Sequence, residues 1–327
     1  MRRRDLIAGL GAAALWPVRA PAQQQAMPVV GFINATSSNE SEGPLAAFRA
    51  GLAKLGFIEG RNVVVEYHWL DGRYGSIPTL VADLVRRRVA VIATPGNTPA
   101  ALAAKAATST IPIVFGVGED PVRLGLVASL ARPGGNLTGV NFFAIEAVSK
   151  RLGLLHELVP KAKRIAVLVN PSNVGSTDGT LREIEAAARG VGLALNVHEA
   201  STSSEIDEAF AALVRERAEA LFVGGDAYFI GRRVQFVTLA TRHGIPAAFG
   251  NPAFAEIGGL MSYGADIADM LRQVGAYTGR ILKGTKPADL PVVQSTRFKF
   301  VLNMLAAKAL GIEVPPGLLA SADEVIE

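Results

Sequence analysis

Two stretches of the 327-residue chain place groups able to grip opposite charges directly after short apolar runs. In Thr94-Pro95-Gly96-Asn97 a hydroxyl and an amide stand where a helix is about to begin. Free N–H groups at a helix N-terminus, joined by such donors, can receive a carboxylate. In Gly224-Gly225-Asp226-Ala227-Tyr228 the Asp226 carboxylate can receive an ammonium group, and the glycine pair lets the backbone come close. A zwitterionic amino acid satisfies both. Three more stretches of this kind are Asn34-Ala35-Thr36-Ser37-Ser38, Gly116-Val117-Gly118-Glu119 and Asn170-Pro171-Ser172-Asn173. Asn97, Ser172 and Asp226 have a second use as caps of the helices that follow, and that alternative stays open for each. Of the aromatic residues nearby, Phe115, Phe142, Phe143, Tyr228, Phe229 and Phe249, two are expected to hold an apolar side chain of a solute. Phe143 and Tyr228 are favoured because one follows a strand and the other opens a helix. The candidate ligand contacts are therefore Asn34, Ser37, Thr94, Gly96, Asn97, Gly116, Val117, Gly118, Phe143, Asn170, Ser172, Asp226 and Tyr228.

Residues arranged for catalysis are scarce. No phosphate-binding loop, His-Glu-x-x-His or Gly-x-Ser-x-Gly pattern occurs, and His68, His156, His198 and His243 lack metal-ligand spacing. Gly9-Leu10-Gly11-Ala12-Ala13-Ala14 imitates a dinucleotide fingerprint but follows no strand. Glu119, Asp120 and Asp226 offer carboxylates for acid–base work, yet nothing marks a nucleophile, so a hydrolase is the weaker reading. No cofactor or metal is expected, and the chain is read as a binding protein, not an enzyme.

The elements that position these residues alternate. Apolar strands are expected at Pro28 to Asn34, Val63 to Tyr67, Val89 to Ala93, Ile111 to Phe115 and Leu137 to Asn141, with helices at Pro44 to Leu55, Ile77 to Arg87 and Pro99 to Ala107 between them. A short helix is expected after Asp120-Pro121, and His243 is expected to close a helix beside Gly244. A second series follows: strands at Arg164 to Asn170, Ala194 to Glu199, Ala220 to Val223, Ile245 to Phe249 and Leu260 to Tyr263, and helices at Thr177 to Arg189, Ser204 to Arg217 and Tyr228 to His243. Continuous Val/Ile runs require burial on both faces, hence parallel sheets clothed by helices. Two α/β lobes follow, with a ligand cleft at the carboxyl ends of their strands.

Residues Met1 to Ala22 read as an export signal: Arg2, Arg3 and Arg4, an apolar run from Leu6 to Trp16, then Ala20-Pro21-Ala22 before Gln23. Arg3-Arg4-Asp5-Leu6-Ile7 also loosely fits a twin-arginine signal. This segment carries four arginines and one aspartate of the 33 basic and 29 acidic side chains, so the mature chain keeps 29 against 28, a net +1. Such a balance is not the footprint of a nucleic-acid binder or of a membrane-surface protein. With no cysteine, disulfides, thiolate metal sites and a lipid-anchored cysteine are excluded. A soluble periplasmic monomer is expected.

Longer motifs carry a resemblance. Asp120-Pro121-Val122 with Gly125-Leu126-Val127-Ala128-Ser129-Leu130, Arg132-Pro133-Gly134-Gly135-Asn136-Leu137-Thr138-Gly139-Val140, Gly258-Gly259-Leu260-Met261-Ser262-Tyr263-Gly264, Gly279-Arg280-Ile281-Leu282-Lys283-Gly284 with Lys286-Pro287-Ala288-Asp289-Leu290-Pro291, and the ending Ala322-Asp323-Glu324-Val325-Ile326-Glu327 resemble ABC-transporter substrate-binding proteins of the tryptophan/tyrosine type. The resemblance implies a type I periplasmic binding fold: two Rossmann-like lobes that close on a small solute and dock on an inner-membrane ABC permease. It also implies three crossings between lobes, near Asn141, near Ala265 and near Pro291 to Thr296. Residues 1–22 are then a cleaved signal, 28–140 with 266–289 one lobe, and 141–265 with 290–327 the other. Ser295-Thr296-Arg297-Phe298 departs from the family, which more often has a proline before the threonine, and only local hinge geometry depends on it. The implied function is capture of a small solute, an apolar or aromatic amino acid, for an ABC importer. The alternatives are a periplasmic sensing domain that feeds a receptor and, more weakly, a periplasmic hydrolase.

Overall fold

The structure is a computed structural model that describes residues 27–37 and 42–327. The expected export signal and Ser38 lie outside the described residues.

The first half of the chain runs β1 (Val29–Asn34), α1 (Glu42–Lys54), β2 (Val64–Trp69), α2 (Ile77–Arg86), β3 (Val91–Pro95), α3 (Thr98–Ala107), β4 (Ile113–Val117) and β5 (Leu137–Asn141). The second runs α4 (Ala147–Leu158), β6 (Arg164–Val169), α5 (Val174–Val191), β7 (Ala194–Glu199), α6 (Ser203–Arg215), β8 (Ala220–Val223), α7 (Ala227–Gly231), α8 (Arg233–Arg242), β9 (Ala247–Phe249), α9 (Pro252–Glu256) and β10 (Met261–Ala265). After these come α10 (Ile267–Leu282), β11 (Val293–Gln294), β12 (Phe298–Asn303), α11 (Met304–Ala309), α12 (Pro316–Ser321) and β13 (Glu324–Ile326). Two sheets result, ordered β11-β5-β4-β3-β1-β2 and β13-β12-β10-β9-β8-β6-β7. The first is parallel throughout, and in the second only the β10–β12 pair is antiparallel.

Burial follows the apolar runs. Every residue of β3, β4, β5 and β8 is buried, because helices cover both faces. In the first lobe Ile92 and Ile113 point to the α2 and α3 side, whereas Val91 and Val114 point to the side where Phe48 of α1 and Val274 of α10 pack. In the second, Ile165 and Val167 meet α4 and α5, and Ala166 and Leu168 meet α6 and α8. Local signals set the helix ends. Asn97 caps α3 by accepting from the Ala100 N–H, Thr202 and Glu205 form a capping box on α6, and α8 stops at His243 before left-handed Gly244.

The chain passes between sheets at 141–147, 265–267 and 294–298. The second passage returns α10 to the first lobe, where glycines let two helices touch. A Cβ on Gly51 of α1 would lie 2.1 Å from the Arg272 carbonyl, and one on Gly275 would lie 2.1 Å from that of Phe48. Three sequence expectations are corrected. No helix follows Asp120-Pro121: Asp120 instead takes the Val122 N–H in a turn that ends at left-handed Gly125. The helix expected over Tyr228 to His243 is broken at Arg232, whose φ −107° and ψ 14° are not helical. Leu290 to Gln294, expected in the second lobe, lies with the first sheet: β11 covers the edge of β5, and Thr138 donates to the Leu290 carbonyl at 2.6 Å.

Candidate functional site

The carboxyl ends of β1, β3 and β4 face those of β8, β9 and β10 across a cleft with a cavity of about 150 Å³, room for on the order of ten water-sized groups. Because both sheets point their strand ends inward, two sets of helix N-termini and glycine-rich turns meet there. Its walls are of mixed character. Phe142, Phe229, Phe254, Ile145 and Met270 are apolar, while Asn34, Thr98, Glu119, Arg151, Asn173 and Asp226 are polar or charged.

Asp226 caps α7 through the Tyr228 N–H at 2.9 Å, and the same oxygen, Oδ1, accepts from Asn170 at 2.9 Å. Its Oδ2 accepts from Asn173 Nδ2 at 2.9 Å and from the Tyr74 hydroxyl at 2.8 Å. Four donors therefore occupy the four lone-pair positions of the carboxylate. The last donor comes from the other lobe, since Tyr74 sits in the loop between β2 and α2. Burial, and then the Asp226 charge, hold the Tyr74 phenol above its ordinary pKa, so it remains a neutral donor. Beside this bond the Tyr228 ring lies on Gly72, where a Cβ would fall 2.4 Å from ring atom Cδ2. Arg232 also covers the ring, its Cζ 5.1 Å from the centroid.

Two ionisable side chains in the cleft, Glu119 and Arg151, have no ionic partner among the described residues. Glu119, on the turn after β4, accepts the Thr98 hydroxyl at 2.6 Å. Burial pushes its carboxyl above the usual carboxylate range, against hydrogen bonds from Thr98 and from its own and the Gly118 N–H. Arg151, on α4, is only 3% exposed, and burial pulls its pKa down to about 9, still charged at neutral pH. It stacks on Phe222 at 4.2 Å and donates to the Val223 and Tyr263 carbonyls at 3.2 and 3.4 Å.

Of the thirteen residues singled out in sequence, Asn34, Gly96, Gly118 and Asp226 line the cleft. Thr94 and Asn97, the expected carboxylate receptors, are buried under the rim at 0% and 1% exposure, with Thr94 Oγ1 and Asn97 Nδ2 unpartnered. Gly116 faces Met270 and Val117 joins the core. Asn170 braces Asp226, and Ser172 donates its N–H to Asn170. Tyr228, Ser37 and Phe143 also stand outside the lining. Phe143 is held at φ +51° and its N–H bonds Asn141. Phe142 and Phe229 line the cleft in place of the favoured aromatic pair, Phe143 and Tyr228. Arg151 escaped the sequence reading, although a signal existed: on α4 it shares a face with buried Val148, Leu152 and Leu155, where an apolar residue belongs.

A family model described as ABC transporter substrate binding protein matches residues 29–326. A curated tyrosine-binding protein from Clostridioides difficile is 27% identical over 274 residues, 81% of this chain and 76% of that protein. Among solved structures, an ABC domain in complex with L-Trp from Streptococcus pneumoniae aligns with TM-score 0.83 at 26% identity, covering 92% of this chain and all of its own. A conserved domain protein from Vibrio cholerae gives TM-score 0.82 at 27% identity over 91% of this chain and 99% of its own. A ligand-free, open substrate-binding protein with adhesive properties from Clostridium difficile gives 0.63 at 27% identity over 92% and 99%. The two-sheet α/β architecture is that of type I periplasmic binding proteins.

Proposed function

The chain belongs to the ABC transporter substrate-binding protein family, and on that premise we propose that it binds an amino acid with an aromatic side chain between its lobes and delivers it from the periplasm to an inner-membrane ABC permease. The observation that carries the ligand class is the pairing, in one cleft, of an aromatic wall with Glu119, a buried carboxyl that has no cationic partner among the described residues. Phe142, Phe229 and Phe254 give an aromatic ring apolar and edge-to-face partners, and Glu119 gives an ammonium group its counter-charge. The tyrosine-binding and L-Trp-bound relatives support the same class. The two carboxyls of the cleft, Glu119 and Asp226, come with no marked nucleophile, and Asp226 is already saturated by four donors, which supports a receptor over a reaction centre.

A closed arrangement of the lobes is supported by the Tyr74–Asp226 hydrogen bond between them and by the better superposition, at similar identity and coverage, on the L-Trp complex than on the ligand-free open relative. Opening then turns on the three passages at 141–147, 265–267 and 294–298. Export rests on the Met1 to Ala22 signal, and no helix among the described residues is long and apolar enough to cross a membrane.

Isothermal titration of the mature chain with L-tyrosine, L-tryptophan, L-phenylalanine, L-leucine and L-glutamate tests the ligand. Aromatic amino acids bind best, and at 100 times Kd the bound solute adds about 2.7 kcal/mol to folding stability, visible as a thermal shift. Failure of every aromatic amino acid to bind at millimolar concentration refutes the reading. Cell fractionation tests the location: a chain starting near Gln23 is expected in the periplasmic extract.

A further inference from the structure

Arg151 is a cation in the wrong place for a structural residue. It occupies an apolar face of α4, lies 3% exposed, and reaches the cleft past Gly250, where a Cβ would fall 2.3 Å from Nη1. Any residue larger than glycine there would displace the guanidinium. Of its five N–H donors, Nη1 reaches the Tyr263 carbonyl in the middle of β10 and Nη2 the Val223 carbonyl at the end of β8, at 3.4 and 3.2 Å. Those contacts are long for a charged donor, which normally closes to about 2.7–2.9 Å on an anion. Nε has no hydrogen-bond partner, and no carboxylate oxygen lies within 4 Å of the group among the described residues. A plug that only tied β8 to β10 would need neither a charge nor a planar fork. A buried cation without an anion is costly, and the cost is recovered when a partner brings the missing charge.

We propose that Arg151 receives the carboxylate of the bound solute, so that the protein selects solutes with a free anionic group. This rests on the functional reading above and deepens it. Glu119 belongs to the first lobe and Arg151 to the second, and both line the one cleft. The ammonium and carboxylate of one amino acid are thereby gripped from opposite lobes, and the head group itself ties closure to the presence of both charges. Thr94 and Asn97, the carboxylate receptors expected from sequence, are buried beneath the rim.

The test is calorimetric titration of the wild-type chain with L-tryptophan and with L-tryptophanamide, repeated on Arg151→Gln, with apo melting followed in parallel. The amide is expected to bind the wild type about 30- to 1,000-fold more weakly, since a desolvated cation keeps no partner. Arg151→Gln is expected to bring L-tryptophan down to the amide's affinity, to leave the amide nearly unchanged, and not to lower the apo melting temperature. An acid-to-amide ratio under threefold in the wild type, or the same ratio in wild type and Arg151→Gln, overturns the proposal while leaving aromatic amino-acid binding intact. Absence of binding by either compound overturns the functional reading and this one with it. Should Arg151→Gln not fold, Arg151→Lys decides: it keeps the charge but loses the fork, and its acid-to-amide ratio is expected to drop several-fold, an unchanged ratio being the refutation.

Discussion

Replacing Tyr74 by phenylalanine removes one oxygen and, with it, the hydrogen bond that crosses the cleft to Asp226 Oδ2 at 2.8 Å. The phenyl ring stays, so packing around the β2–α2 loop is kept. A hydrogen bond to a charged acceptor contributes about 1.5–3 kcal/mol. Asp226 retains three donors, from Asn170, Asn173 and the Tyr228 N–H, which places the loss near the lower end, about 1.5–2 kcal/mol. In the open form water replaces both partners, so the loss falls on the closed form alone. Where the free protein is mostly open, apparent Kd rises by the same factor, ~10- to ~30-fold. Stopped-flow binding with L-tryptophan should show the change mainly in dissociation, because the bond forms after encounter. Calorimetry of Tyr74→Phe within twofold of wild type, with its heat of binding unchanged, would refute the reasoning that this contact holds the lobes together.

Three other outcomes follow from the same geometry. Asp226→Ala strands four donors and a helix cap and should cost about 2–4 kcal/mol in chemical denaturation, whereas Asp226→Asn should cost only about 1 kcal/mol because the Tyr74 hydroxyl and the Asn173 amide can turn to meet the new group; equal effects would contradict the four-donor arrangement. Gly72→Ala, at φ +73° and against the Tyr228 ring, should cost about 1 kcal/mol in stability and weaken solute binding further, with Tyr228→Ala restoring part of the affinity in the double variant; no recovery would show that the ring is not the obstacle. Glu119 is raised by burial, so the folded state favours its protonated form, and the penalty appears as pH rises through the folded pKa. Glu119→Gln should therefore be the more stable apo protein at pH 7, lose that advantage below the ordinary carboxylate range, and bind L-tryptophan weakly; a difference from wild type that does not change with pH would exclude a buried carboxylate.

What the sequence could determine lies within the reach of local interactions. Strands such as Leu137–Asn141, Ala194–Glu199 and Ala220–Val223 were legible to the residue, because an apolar run between turn residues fixes both its conformation and its burial. The parallel sheets, the two lobes and a cleft at the strand ends follow from the alternation of such runs with helices. Which side chain faces the cleft is decided by one step in the pleat or one turn of a loop, and composition does not record that step. Phe142 lines the cleft and Phe143 does not, since Asn141 captures the Phe143 N–H and turns the chain. Gly96 and Thr98 are on the wall while Asn97 between them is spent on capping α3. Tyr74 finds Asp226 only across 152 residues, and Arg151 meets the end of β8 and the middle of β10 only after the chain has crossed lobes and packed α4 beneath them. Local propensity sets the elements because each residue pays its conformational entropy against its neighbours; the charges of the site acquire meaning only when tertiary packing takes them out of water and settles which of them are left without a partner.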